Sequence, residues 1–343
     1  MSLGVVLVSY ATGDVLLDCL ESLLAAARAP DAPEIRVLVV DNASPDGTEA
    51  RLRDWATGTR PWRATASDLP FEPRPRGPVT LDARDLIRNG RHKMLGTAAD
   101  GVVGFLQAGS NEGFAAGVNR GLETFREMAE VDWFWILNSD AMTEPGTPAA
   151  LDRAARTAEA AGGFGVIGGR TFYTDPPLLI QTDGGKIDLW TGRLLPATLG
   201  KTGRDVPGPE ALDYVPGCHM LVGRRFLDTA GLMPEGYFLY FEEIDWCLRR
   251  GDLPLIWTAD APIHHVSGAS IGSQTLEAGP SPLAAYWMFR NRLRFVRRWN
   301  PAGLPSAMAY SAMKVAQLRR KGHRAAARAA WRGMTGRARE GAS

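Results

Sequence analysis

Two runs decide how this chain folds: Leu3-Gly4-Val5-Val6-Leu7-Val8-Ser9, and Ile35-Arg36-Val37-Leu38-Val39-Val40, which stops at Asp41. Each is short, rich in β-branched residues and apolar along nearly its whole length, the pattern of a strand buried on both faces of a parallel sheet. Between them Val15, Leu16, Cys19, Leu20, Leu23 and Leu24 recur at helical spacing from Asp14 to Ala27. Strand, helix and strand joined by short connections read as a right-handed βαβ unit. The alternation continues with strands at Val102–Leu106, Trp133–Leu137 and Gly165–Ile167, and helices at Phe114–Met128 and Ala149–Ala161. The fold class is therefore α/β, a doubly wound sheet whose first half ends near residue 170.

Further along, strand-like pieces alternate with glycine turns from Leu178 to Val222. A helix near Glu243–Arg250, a strand at Leu255–Thr258, a helix at Leu283–Val296 and one from about Ser306 to Ala338 complete the reading. Between Trp55 and Asp100 the prolines 61, 70, 73, 75 and 78 break every period, so residues 56–100 read as an insertion at the sheet's edge. The expected organisation is one main domain over residues 1–300, divided near residue 170. Residues 301–343 form a basic, amphipathic helical tail.

With 343 residues, 45% hydrophobic and 22% charged, the chain can bury a large core without disulfides or metals. Cys19, Cys218 and Cys247 are odd in number and far apart, with neither zinc spacing nor a disulfide framework, which suits a reducing cytoplasm. No basic leader precedes the first strand and no apolar run reaches membrane-span length, so neither a signal peptide nor a span is expected. The net charge of +1 hides an asymmetry, because from Arg290 onward only Glu340 opposes a long series of arginines. That tail is expected to contact an anionic membrane surface peripherally, at its inner face. No nucleic-acid partner is expected.

Five constellations could carry chemistry. Asp41-Asn42-Ala43-Ser44-Pro45-Asp46 follows the second strand, where ligands bind in doubly wound sheets. Asp41 at the strand terminus is a candidate ligand group, and Asp46 a helix cap. Asn138-Ser139-Asp140 puts two oxygen-bearing side chains on one side of a strand end, a spacing that suits Mg²⁺ or Mn²⁺ beside substrate phosphates. In Asn111-Glu112-Gly113-Phe114, continuing to Asn119, small residues permit close approach at a helix start. Glu242-Glu243-Ile244-Asp245 crowds three carboxylates beside Tyr237, Phe238, Tyr240 and Phe241. Mutual repulsion and an apolar wall raise a carboxyl pKa toward the range of a general base. Of His264 and His265, adjacent on a strand and pointing opposite ways, at most one can join a metal or diphosphate site.

Together these stretches resemble the family 2 inverting glycosyltransferases, especially the rhamnosyltransferase-like branch. The resemblance runs through VSY (Val8–Tyr10), VVDNASPDGT (Val39–Thr48), SNEGFAAGVNRGL (Ser110–Leu122), LNSD (Leu137–Asp140), PGCHMLV (Pro216–Val222), YFEEIDWCLR (Tyr240–Arg249) and HHVSGAS (His264–Ser270). It implies the nucleotide-diphospho-sugar transferase (GT-A) fold, with a doubly wound mixed sheet and the helical tail as an extension. It implies a nucleotide-sugar site formed by Ser9, Tyr10, Asp41, Asn42, Ser44, Asn111, Gly113, Phe114, Asn119, Asn138 and Asp140. Asp140 would hold the Mg²⁺ or Mn²⁺, His265 would add a metal or diphosphate contact, and Glu243, with Glu242 as fallback, would be the catalytic base. The implied partners are a nucleotide-diphosphate sugar and a glycan or lipid-linked acceptor. The chain departs from the family pattern with Asn-Ser-Asp for Asp-x-Asp, Glu-Glu for Glu-Asp, and a longer insertion.

Other readings fit less well. Ser9-Tyr10-Ala11-Thr12-Gly13 lacks the G-x-G-x-x-G of a dinucleotide-binding oxidoreductase. The glycine- and lysine-rich phosphate loop of a sugar nucleotidyltransferase is also missing. A non-catalytic sugar-nucleotide-binding subunit remains the alternative.

Overall fold

The computed structural model describes residues 2–72, 79–84, 96–266 and 279–338. Strand β1 (Ser2–Ser9), helix α1 (Val15–Ala26) and strand β2 (Glu34–Asp41) form the expected βαβ unit, with the strands parallel and Ser9 opposite Asp41. Helix α2 (Thr48–Thr57) follows, then strands β3 (Thr80–Arg84) and β4 (Val102–Gln107), helix α3 (Phe114–Arg126) and strand β5 (Val131–Asn138). Strand β6 (Ala141–Thr143), helix α4 (Thr147–Ala160), and strands β7 (Val166–Tyr173) and β8 (Ile180–Thr182) come next. Strands β9 (Gly185–Asp188) and β10 (Arg193–Pro196) make a separate hairpin. The rest comprises β11 (His219–Gly223), α5 (Arg224–Ala230), α6 (Glu242–Leu248), β12 (Ile256–His265), α7 (Pro282–Trp299), α8 (Leu304–Arg320) and α9 (Arg324–Met334).

The main sheet runs β3-β4-β2-β1-β5-β11-β7-β12-β6, with β8 beside β7. From β3 to β5 every pairing is parallel; β11 then runs antiparallel to both β5 and β7, making the sheet mixed. Alternation along each strand sends neighbouring residues to opposite layers. Val5, Val37 and Trp135 pack under α1 and α4 with Leu16, Leu20 and Leu151, while Val6, Phe134 and Ile136 pack under α3 with Val118, Leu122 and Phe125.

The structure corrects the sequence reading in three places. The proline-rich insertion contains β3, a parallel edge strand, although no period in it announced one. Its first part is also anchored: the Trp62 indole and Thr65 donate to Asp18 on α1. Strand β12 does not stop at Thr258 but continues to His265, across a register irregularity between Thr258 and Ile263. Asp260 and Pro262 look like a turn in the sequence; the strand tolerates them there because Gly169 opposite has no Cβ, which would lie 1.9 Å from the Ala261 carbonyl.

The tail, finally, is not one helix. Gly322 adopts φ +87° between α8 and α9, and α9 folds back along α7. Ala326 and Ala330 pack on Ala285 and Phe289, with Val315 and Leu318 against them. Gly333 lets the helices close, since a Cβ there would sit 2.2 Å from the Tyr286 carbonyl. Met308, Val315, Leu318, Ala325 and Trp331, which one continuous helix would line up along one side, are therefore split: Val315 and Leu318 turn toward this small core, while Met308 and Trp331 stay exposed. No helix among the described residues is long and apolar enough to cross a membrane.

Arg170 on β7 and Asp183 just after β8 form a fully buried ion pair, 2.8 Å apart. The same guanidinium donates to the Arg204 and Val206 carbonyls and so pins the connection after β10. Removing one partner leaves the other charge buried and uncompensated. Asp183→Ala is expected to lower the unfolding free energy by about 3–5 kcal/mol in denaturant titration.

Candidate active site

The parallel strands deliver the first group of residues to one edge of the sheet. Ser9 and Asp41 are paired in register, as are Val8 and Asn138, so the carboxyl ends of β1, β2 and β5 lie side by side. Ser9 is buried, its hydroxyl 2.9 Å from that of Thr12. Tyr10 is exposed. Asp41 is buried and accepts from the Ser44 amide, the Ser44 hydroxyl and, at 3.0 Å, the Gln107 side-chain amide at the end of β4. Ser44 also receives the Ala11 amide and so ties the loops after β1 and β2 together. Gln107 is a residue the sequence reading missed; its place beside Asp41 follows from the β2–β4 register, which pairs the two.

Asn42, Asn111, Gly113 and Phe114 build the junction with the segment around Phe238. Asn42 donates to the Gly113 carbonyl at 3.0 Å, and the Asn111 side chain accepts from the Gly113 amide at 3.1 Å. Gly113 has φ +101°, and a Cβ there would lie 2.4 Å from the Phe238 carbonyl. That same carbonyl accepts from the Phe114 amide. Glycine is thus required twice over, by dihedral and by contact. Asn119 differs from the expectation: its amide nitrogen donates to the Met233 carbonyl and to Glu235, while its oxygen accepts from the Met233 amide. With both ends committed, Asn119 braces the segment before α6 rather than offering atoms to a ligand.

Asn138, Asp140 and His265 lie together. His265 Nε2 lies 3.0 Å from Asp140 Oδ1 and 3.1 Å from Asn138 Nδ2. Its Nδ1 faces Gln181 Oε1 at 2.8 Å. Donation of Nδ1–H to that carbonyl oxygen leaves the Nε2 lone pair directed at the Asp140 carboxylate, two electron-rich atoms converging on one point. His264 points the other way, 2.9 Å from Glu144, which also binds Arg204. Burial works to raise the Glu144 pKa, but the hydrogen bonds from His264 and Arg204 outweigh it and hold the carboxyl below its ordinary range. Of the HHVSGAS stretch, Ser267 to Ser270 lie outside the described residues. Among the described residues no group of three His, Cys, Asp or Glu converges to hold a metal, so Asp140 and His265 form a two-donor set open to oxygens from elsewhere.

Facing this edge is the start of α6. Phe238, Tyr240 and Phe241 all have positive φ, at 64°, 68° and 76°, which is uncommon for bulky residues. The buried Asn291 of α7 holds the turn by donating to the Tyr237, Leu239 and Tyr240 carbonyls at 2.7, 2.7 and 3.2 Å. Nothing in the sequence around Asn291 marks it for this task. Asp245 is occupied by the Tyr237 hydroxyl, Arg249 and Arg298. Tyr237 is therefore no platform for a sugar ring; it is buried with its hydroxyl spoken for.

Glu242 and Glu243 have no such partners for one oxygen each: both Oε2 atoms are buried without a hydrogen bond. Burial raises the Glu242 carboxyl well above its ordinary value, and the Glu243 charge adds to it. Burial likewise pushes Glu243 up to about 7. Glu243 and Phe114 both lie beside Gly217, where a Cβ would meet their side chains at 3.5–3.6 Å. The Cys218 thiol, pushed up to about 12 chiefly by burial, is raised further by the charges of Asp140 and Glu243. Asp140 and Glu243 thus both lie near one short segment, Pro216 to Cys218.

A sequence profile of Glycosyl transferase family 2 matches residues 4–67, the stretch containing β1, α1, β2 and α2. GalNAc-T7, solved with UDP, GalNAc and Mn²⁺, superimposes with a TM-score of 0.53 at 13% identity, over 92% of this chain and 51% of that one. The fold is GT-A. Similarity at lower TM-score extends to the mannosyltransferase PcManGT of Pyrobaculum calidifontis in complex with GDP-Man and Mn²⁺ (0.47, 15% identity, 92% of this chain, 75% of that chain). It extends also to residues 1–349 of S. aureus TarS (0.45, 14% identity, 87% of this chain, 66% of that chain). The chain thus spans about half of the GalNAc-T7 chain and under two thirds of the crystallised TarS segment. No curated protein sequence gives a significant match.

The raised glutamate carboxyl sets a sign for stability. An unfolded glutamate ionises near its ordinary 4.5, whereas folded Glu243 keeps its proton to about 7. Between those values the unfolded chain binds fewer protons than the native one, so stability falls as pH rises. Glu243→Gln is expected to flatten that fall in chemical denaturation measured at a series of pH values across the window.

Proposed function

We propose that this protein is an inverting glycosyltransferase, moving a hexose such as rhamnose from a nucleotide-diphosphate donor to a glycan or lipid-linked acceptor at the inner face of a membrane. The observation that carries this reading is the Glu243 carboxyl, whose Oε2 is buried without a hydrogen bond and which burial raises to about 7, close to the Pro216–Cys218 segment that also lies near Asp140. An acceptor hydroxyl is a poor nucleophile until a base within hydrogen-bond reach takes its proton, and a base serves best when its pKa lies near the working pH. Glu243 Oε2 lacks a donor in the protein, and a substrate hydroxyl would supply one.

The nucleotide is assigned to the edge formed by β1, β2 and β4. Asp41, fixed by Ser44 and Gln107, offers a rigid carboxylate to the donor's base or ribose, with Tyr10 at the open side. The diphosphate would lie beyond Asn138 and Asp140. Asp140 and the lone pair of His265 Nε2 fit a divalent cation such as Mg²⁺ or Mn²⁺, which when bound would neutralise charge developing on the departing diphosphate. Glu243 would take the acceptor proton, and Asn291 and Gly113 would keep its turn in place. The reacting carbon would invert in a single displacement with oxocarbenium character, as in glycoside hydrolysis.

A positioned base contributes about 10²–10⁴-fold, so Glu243→Gln is expected to lose that much turnover while donor affinity, read by calorimetry, stays unchanged. If Glu242→Gln is dead and Glu243→Gln is active, the base is Glu242; if both remain active, the mechanism fails.

Asp140→Ala is expected to abolish the Mn²⁺-dependent rise in melting temperature given by UDP or GDP, with the nucleotide-free melting temperature little changed. Full activity in EDTA would remove the metal from the reading.

A further inference from the structure

The hairpin of α8 and α9 has a chemistry that sugar transfer does not use. Between the helices runs a groove of about 1120 Å³. Its floor is apolar, with Ala312, Val315, Ala316 and Ala327, and Trp331 stands at its side with 46% of its surface exposed. Arg319, Arg320, Arg324 and Arg328 line the same groove. Neither helix contains an acidic residue, and none occurs from residue 279 to residue 338, so these guanidinium groups have no counter-charge on their own elements. The floor is held open by real packing: Ala326, Ala330 and Gly333 of α9 are seated on α7, which prevents α9 from rolling in to cover the groove with its own alanines.

We propose that this groove is the contact by which the protein sits on an anionic phospholipid bilayer. Guanidinium groups match phosphate oxygens with paired hydrogen bonds, and the apolar floor and Trp331 match the first methylenes beneath the headgroups. A nucleic acid would engage the arginines yet leave the alanine and valine floor with nothing to cover it; an amphiphile satisfies both. Met308 and Met313 of α8, 48% and 46% exposed, extend the apolar surface along the hairpin. The bilayer is met by a folded two-helix platform, not by one long amphipathic helix.

The test is flotation of the full chain with vesicles of phosphatidylcholine alone and of phosphatidylcholine with phosphatidylglycerol. Flotation is expected only with the anionic vesicles and is expected to fade as salt rises. The double change Arg324→Gln, Arg328→Gln is expected to lower partitioning about thirtyfold, and Trp331→Ala to lower it further while leaving the melting temperature in place. Flotation that ignores lipid charge and salt, no flotation with either vesicle, or tight retention by RNA without flotation overturns the proposal. The lipid and salt dependence of the unaltered chain decides the matter even if a variant misfolds. Turnover enters none of these readouts, so failure here leaves the transfer reading standing.

Discussion

Glu242 is buried and Glu243 beside it half-buried, and each has a buried carboxylate oxygen that finds no donor in the protein. Removing a carboxylate from water without a partner is costly, and placing a second one beside it adds repulsion; the native state holds them by raising their pKa values. Something else must keep the chain from relaxing away. The adjacent turn carries three bulky residues at positive φ, which would also relax if released. Asn291 closes on three of its carbonyls, the Phe238 carbonyl takes the Phe114 amide, and Gly113 presses against the same peptide. Phe241 is buried and packs on Phe295. The arrangement of the glutamates is therefore a property of packing between segments far apart in the chain, not of the Glu242–Asp245 stretch in which it is written.

Two kinds of buried charge make the contrast plain. Arg170 and Asp183 are as deeply buried as Glu242, but each is matched, and the guanidinium's remaining donors are spent on backbone carbonyls. Such a pair organises a loop and has nothing left to offer a substrate. Asp245, three residues from Glu242, is of the same kind, satisfied by Tyr237, Arg249 and Arg298. One helical turn thus separates a carboxylate that does structural service from carboxylates kept short of partners. The difference lies in the neighbours, since 242 and 245 share one face of the helix: Tyr237, Arg249 and Arg298 reach Asp245, and no donor reaches Oε2 of Glu242.

Much of this was legible in the sequence, for reasons that can be named. Buried parallel strands announce themselves by apolar runs, and their polar ends mark the ligand edge, so β1, β2, β5, Asp41 and Asp140 could be read directly. Alternation along a strand foretold that only one of His264 and His265 would meet Asp140. What escaped depends on contacts far apart in the chain. Strand β3 is stabilised by pairing with β4 and has no period of its own. Gln107, Gln181 and Asn291 are single polar residues whose partners lie up to 84 positions away. Asn119 looked like part of a ligand motif because it shares a run with Asn111 and Gly113, whereas α3 turns it toward Met233 and Glu235. The tail misled for a local reason: one glycine, Gly322, reverses a pattern that is otherwise helical from end to end.

Helix α7 joins these themes. On one side Asn291 fixes the turn that presents the glutamates, and Trp287, one turn earlier, stacks on Phe238 with ring centres 4.7 Å apart. On another, Ala285 and Phe289 form the seat of α9, and the Tyr286 carbonyl meets Gly333. An i, i+4 pair such as 287 and 291 lies on one face of a helix, while 285 and 289 form the neighbouring ridge. A single helix therefore carries both the wall behind the glutamates and the base of the arginine-lined hairpin. Since packed helices move as units and side chains in a close-packed core leave little slack, α7 fixes the position of the Glu242–Glu243 turn relative to the hairpin.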